Sequence, residues 1–209
     1  MSIFYLSTAY FPPISWFNKV YNASEVFIEA HENFSKQSYR NRCEIASANG
    51  KLSLCIPTIK EHGNKILIKD AKIDYREDWQ KNHLKAIESA YRNSPFFEYY
   101  IDEFEPILKT KFEFLFDLNL EIIQKVKKIL SISTQIIETN EFSMDYEDES
   151  DYRFIIHPKS RVRKKDSLFE SQPYYQVFSE KYGFLENLSI LDLIFNMGNE
   201  SVNYLKINF

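Results

Sequence analysis

The spacing of apolar residues changes near Asp78, and that change limits what the chain can fold into. Before it, apolar residues alternate or run in short β-branched and aromatic stretches; after it, they recur every three or four residues. Strands therefore belong to the first third and helices to the middle, which predicts an α/β or α+β fold: a mixed sheet, built mainly from the N-terminal third, covered by later helices.

Residues 3–9 read as a buried first strand ended by Pro12 and Pro13. Ile14, Trp16, Phe17 and Val20 mark a short helix, and 25–30 a second strand. Segments 43–48 and 52–56 flank Asn49-Gly50, the signature of a type I′ hairpin. Segment 65–73 reads as extended. Asp78 can cap a helix carrying Trp79, His83, Ala86, Ile87, Ala90 and Tyr91. Helical segments follow at 95–103 and 106–116, each opened by a proline, and at 118–130. An edge strand is expected at 133–139, and a last helix, with Ser189 and Asp192 spaced as a capping box, from 187 or 189 to Gly198.

A length of 209 residues favours one domain over 1–209, with 140–170 irregular: 140–151 is acidic and poor in aliphatics, 157–165 is basic. A net charge of -4 argues against a general nucleic-acid binder. No apolar stretch approaches the roughly 18 residues that span a bilayer, so no membrane insertion is expected, and a cytoplasmic location is. Four glycines leave few positions for a phosphate-wrapping loop. Cys43 and Cys55 lie in neighbouring strand-like segments; a disulfide is open to them, and a pair of buried thiols is favoured.

The chemistry concentrates in the run 29–42, which holds two carboxylates, a histidine, three cations, three amides and three hydroxyls directly after a strand. Lys36, Arg40 and Arg42 can hold a phosphate or carboxylate, with Asn41 between the arginines. Glu29, or His31 beside Glu29 or Glu32, can act as a general base. A solvated connection with ordinary surface ion pairs explains the same residues. Strand spacing places Arg40 and Arg42 on the face opposite Asn41. Trp79 and His83, four apart, share one helix face. They form either a packed core pair or a cleft wall in which His83 donates or takes a proton. His157 and Lys159 open the basic stretch, a third candidate that pairing with 145–151 would also satisfy. The four histidines are scattered and no Cys-x-x-Cys exists, so no metal site is expected.

Several blocks, in order, resemble the WbqC-like protein family, in a wording similar to its Bacteroidetes branch. They are Thr8-Ala9-Tyr10-Phe11-Pro12-Pro13, Ile28-Glu29-Ala30-His31-Glu32-Asn33, Lys36-Gln37-Ser38-Tyr39-Arg40-Asn41-Arg42, Asp78-Trp79-Gln80-Lys81-Asn82-His83, Ile156-His157-Pro158-Lys159 and Asn187-Leu188-Ser189-Ile190. The resemblance implies a link to surface-polysaccharide precursors. The expected activity is small-group transfer to an amino-sugar nucleotide or similar phosphorylated substrate, without a cofactor; the alternative is a non-catalytic ligand- or partner-binding protein of the same pathway. It also brings Tyr10 into the substrate-binding set. Many relatives carry Asp-Asp where Glu29-Ala30 stands, with a shorter segment around His31, which weakens His31 as a catalytic residue more than Glu29 or Arg42.

Overall fold

The computed structural model describes residues 2–59, 65–147, 150–159 and 166–206. Strand β1 (Ile3–Ser7) is followed by helix α1 (Ile14–Asn22) and strand β2 (Glu25–Glu29). Strands β3 (Arg42–Ser47) and β4 (Gly50–Cys55) form a hairpin. Helices α2 (Trp79–Tyr91), α3 (Phe97–Lys109) and α4 (Leu115–Ile129) come next, then strand β5 (Gln135–Glu138). Short helices α5 (Ser179–Tyr182), α6 (Ile190–Met197) and α7 (Ser201–Leu205) complete the order.

The α/β expectation holds. β1, β2 and β5 form a parallel sheet with β2 in the centre, and the antiparallel β3–β4 pair is a separate two-stranded sheet. β-branched and aromatic residues make β2 a strand. Val26 and Ile28 are completely buried, as expected for the middle of a parallel sheet. On the opposite face Tyr5 stacks on Phe27 and on Tyr146, with ring centroids 5.2 and 3.6 Å apart. The outer edge of β1 is not left open: Tyr5 N–H donates to Ser150 O and Tyr152 N–H donates to Tyr5 O, both at 2.9 Å.

Several boundaries differ from the sequence reading. The hairpin is present, but its turn is not type I′. Ser47 pairs with Gly50, Asn49 is not among the positive-φ residues, and Gly50 alone takes a positive φ of 94°. Segment 65–73 is not a strand: Ile68–Asp70 is a 3-10 turn, because Ile68 and Lys69 donate to the carbonyls of Glu32 and Ala30. Pro106 does not open a helix. It lies inside α3 near the C-terminal end, where only one carbonyl loses its donor, and the break falls at Thr110. Asp78 occupies the N-cap of α2 without a side-chain cap bond. Ser189 does cap α6, accepting from Leu191 N–H, but the Asp192 carboxylate turns instead to Tyr174 and Gln176.

Gly50 and Gly198 both have positive φ, yet their surroundings differ. A Cβ at Gly50 would meet only Tyr182 at 3.9 Å, whereas one at Gly198 would lie 2.8 Å from the Phe96 ring. Gly50→Ala is expected to cost about 1–2 kcal/mol, the backbone penalty alone. Gly198→Ala is expected to cost more, because Phe96 must also move. Denaturant midpoints of the two variants, with unchanged slopes, check this order.

Candidate functional site

The polar run 29–42 is divided: Glu29, Glu32, Ser38, Tyr39, Arg40 and Asn41 are buried, whereas Asn33, Ser35, Lys36 and Gln37 are exposed. Glu29 ends β2 completely buried; its Oε1 accepts from His31 N–H and the Thr139 hydroxyl, each at 2.8 Å. Its Oε2 accepts from Arg153 Nη1 at 2.8 Å. Arg153 also donates to both oxygens of Asp151, at 2.9 and 2.7 Å, and its guanidinium lies among the rings of Tyr146, Phe142 and Phe154. Glu32 receives two bonds from Arg40, and Arg40 Nη2 donates to Ser7 Oγ at 2.7 Å. The carboxyl ends of the parallel strands are thus joined by compensated charges. Arg40 faces a smaller cleft of about 280 Å³, together with Glu32, Arg153, Phe154 and His157.

Four residues of the run, Lys36, Gln37, Asn41 and Arg42, face a larger cleft, of about 510 Å³, between the start of the hairpin and the first turn of α2. Lys36, Asn41 and Arg42 come from the run, Cys55 from the end of β4, and Trp79 and His83 from α2. Arg42 and Asn41 therefore share this cleft, contrary to the alternation expected from strand spacing, and Arg40 points elsewhere. The reason is local: β3 begins only at Arg42, and Asn41 is turned to donate to Ile56 O at 3.0 Å.

Register places Arg42 opposite Cys55, so their side chains lie on one face, and Arg42 Nε–H donates to Cys55 Sγ at 3.2 Å. Cys43, opposite Leu54, lies on the buried face; both cysteines are free, and only Cys43 is buried. The expected pair of buried thiols is therefore half right.

Trp79 and His83 do share a helix face, with ring centroids 5.1 Å apart. His83 Nδ1 is 2.9 Å from the Tyr10 hydroxyl, and a second hydrogen bond ties the ring to the backbone of Cys55. Burial pushes the His83 pKa down to about 4, so the ring is neutral, and burial pushes the Tyr10 hydroxyl up, so it stays protonated and donates to Nδ1. Two polar atoms of residues lining this cleft have no partner among the described residues: Trp79 Nε1 and Asn41 Oδ1. Buried polar groups are nearly always paired, so such an orphan points to a group from outside.

Two other candidates lie apart. His31 Nε2 is 3.1 Å from Lys69 Nζ. His157 Nδ1 accepts from Lys159 N–H at 3.1 Å. Burial first, then the positive charges of Arg40, Lys159 and Arg42, hold the His157 pKa below its ordinary value. Lys159 is exposed, and Arg161, Arg163, Lys164, Lys165 and His62 lie outside the described residues. Among the described residues no cluster of His, Cys, Asp and Glu suits a metal ion, and no helix is long and apolar enough to cross a membrane.

Sequence reasoning missed Lys19 and Arg153. Lys19 is completely buried in α1, donating to Asp166 at 2.8 Å beneath the Tyr152 ring. Local sequence does not reveal the burial of either residue, because Asp166 lies 147 residues from Lys19 and Glu29 lies 124 residues from Arg153.

Residues 8–168 match the WbqC-like protein family, the span that carries both clefts. The chain belongs to this family. It is 25% identical, over 94% of each chain, to the uncharacterized protein Rv1507c of Mycobacterium tuberculosis. No solved structure matches it.

Two measurements test this frame. Arg153→Met leaves Glu29 buried without its cation and is expected to cost about 3–5 kcal/mol, whereas Arg153→Met with Glu29→Leu recovers a large part of it, read from denaturant unfolding. The pH dependence follows from two buried groups. His83 refuses below pH 6.5 the proton that the unfolded chain accepts, so its term removes stability as pH falls from 6.5 toward 4. Asp192, raised by burial from 3.8 to about 6, gains a proton earlier in the native state, so its term adds stability as pH falls from about 6 toward 4. Relative to wild type, Asp192→Asn should steepen the acid loss between pH 6 and 4, and His83→Gln should reverse it, by up to about 1.4 kcal/mol per pH unit in each case.

Proposed function

We propose that the chain is a small-group transferase whose acceptor is a phosphorylated, amine- or hydroxyl-bearing small molecule of the amino-sugar nucleotide kind, used in surface-polysaccharide assembly. The observation that carries this reading is the 510 Å³ cleft, where Lys36 and Arg42 stand beside Trp79 and two unpaired polar atoms, Trp79 Nε1 and Asn41 Oδ1. Arg42 and Lys36 hold phosphate, the first through its planar fork and the second as a point charge. The unpaired indole N–H donates to the ligand and the unpaired carboxamide oxygen accepts from it. Tyr10 and His83 fix the cleft wall as one neutral, hydrogen-bonded unit. Arg40 and His157 line the neighbouring cleft, where Arg40 is matched by Glu32 and burial favours the neutral His157 ring. The polysaccharide setting rests on the family's gene context, and the relative from Mycobacterium tuberculosis adds no activity to it.

A second reading, a ligand-binding protein without catalysis, is favoured by one specific observation. Both oxygens of Glu29 are occupied and His83 Nδ1 takes the Tyr10 hydroxyl, so neither stands free as a base. Incubation of the protein with acyl-carrier and sugar-nucleotide pairs, followed by mass spectrometry of the small molecules, separates the two: a transferred group supports the enzyme, and its absence with binding retained supports the binding protein.

Binding itself is tested by thermal shift with uridine diphosphate N-acetylglucosamine against free N-acetylglucosamine. The nucleotide sugar at a hundred times its dissociation constant should stabilise the fold by about 2.7 kcal/mol, and the free sugar should not. Arg42→Gln and Lys36→Gln should each reduce the shift, more at low salt than at high. Equal shifts for both sugars, or no loss in either variant, would refute phosphate recognition in this cleft.

A further inference from the structure

We propose that Cys55 is the nucleophile that carries the transferred group, as a thioester, and that the donor is an acyl or aminoacyl thioester of a phosphorylated carrier. The inference rests on the group-transfer reading above and supplies what that reading lacks. A direct transfer would need a phosphorylated carrier and a phosphorylated acceptor in the cleft together, on the two cations Lys36 and Arg42. A thioester on the protein splits the transfer into two steps, so the two molecules use that cleft in turn.

The structure presents Cys55 for this task. It ends β4 exposed, on the cleft face fixed by its pairing with Arg42, while Cys43 faces the core. Arg42 Nε–H contacts Sγ at 3.2 Å, which sets a fixed positive charge beside the charge that develops on sulfur. The His83 bond to the Cys55 backbone anchors the strand end. An independent observation points to a ligand in the same place: Trp79 and Asn41, 4% and 9% exposed, line this cleft with Nε1 and Oδ1 unpartnered among the described residues.

The chemistry balances in two steps. The Cys55 thiolate attacks the donor carbonyl carbon; the new C–S bond forms as the C–S bond to the carrier breaks, and the carrier leaves as a thiolate that takes up the proton Cys55 gave to solvent. The acceptor amine then attacks the Cys55 thioester; the amide bond forms, the C–S bond breaks, and the amine proton ends on the Cys55 sulfur. Nothing is oxidised or reduced.

The test uses the full chain and intact-protein mass spectrometry. Acetyl-coenzyme A is the phosphorylated probe and S-acetyl-N-acetylcysteamine its counterpart without phosphate. Wild type should gain one acetyl group, mapped to the Cys55 peptide and released by hydroxylamine, about tenfold or more faster with the phosphorylated probe. Cys55→Ser should gain no thioester while keeping its melting temperature, Cys43 should stay unlabelled, and Arg42→Gln should lose the preference between probes. Acetylation of Cys55 no faster than that of glutathione under the same conditions would overturn the proposal, as would an equal rate with both probes. The nucleotide-sugar thermal shift of Cys55→Ser separates the two claims. A retained shift without acylation of the wild type refutes the thiol alone, and no shift in either protein refutes the binding reading beneath it.

Discussion

The buried pair of Glu29 and Arg153 is the interaction on which the rest of the arrangement turns. Two side chains 124 residues apart meet with no exposed surface, at the carboxyl end of the central strand. An unpaired charge at that depth is strongly destabilising, so each residue dictates where the other must lie. Arg153 brings Asp151 and Tyr152 with it, and these close the open edge of β1. Thr139, just past β5, bonds the same carboxylate. One ion pair thus ties the ends of β2 and β5 to the edge cover of β1.

That closure decides which charges remain for function. Open parallel sheets commonly bind ligands beyond their carboxyl ends. Here the largest groups at that end, Glu29, Glu32, Arg40 and Arg153, are already matched among themselves. Of the cations in the run after β2, Arg42 and Lys36 line the larger cleft without a carboxylate salt bridge among the described residues. The site therefore moves off the sheet, onto the hairpin and the first turn of α2. The two sheets differ in place as in pairing: the parallel one holds the frame and the antiparallel one lines the larger cleft.

Local signals were legible and remote ones were not. The strands at Ile3–Ser7 and Glu25–Glu29, the hairpin, and α2 all follow from spacing, because each depends on residues close in sequence. Trp79 beside His83 followed from helical geometry for the same reason. The turn type at Gly50 and the continuity of α3 through Pro106 did not, since long-range packing overrode a local preference by one or two residues. In the run after β2, residue type marked the region but could not sort it. Whether a cation is free depends on its carboxylate partner, and the partner of Glu29 lies far along the chain. The resemblance to the family named the blocks that gather at the site, Tyr10, the run after β2, Trp79 and His83, but not which of them are spent on structure.

Cys55 shows how a single register decides which side chain meets the cleft. A shift of one residue in the β3–β4 pairing would exchange the faces of the strand, turning Cys55 into the core and Leu54 into the cleft. What prevents the slip is the burial of Cys43, Ile45 and Leu54 on one side, together with Gly50, whose positive φ sets where the two strands begin to pair. The tie from His83 to the Cys55 backbone then holds the strand end against α2, so the neutral histidine positions the thiol and Arg42 together. The low pKa of His83 follows from burial, against which the bond to the Cys55 backbone works by favouring the charged ring. A protonated ring would keep that bond but lose the one from Tyr10, so only the neutral ring ties Tyr10 and the strand end together.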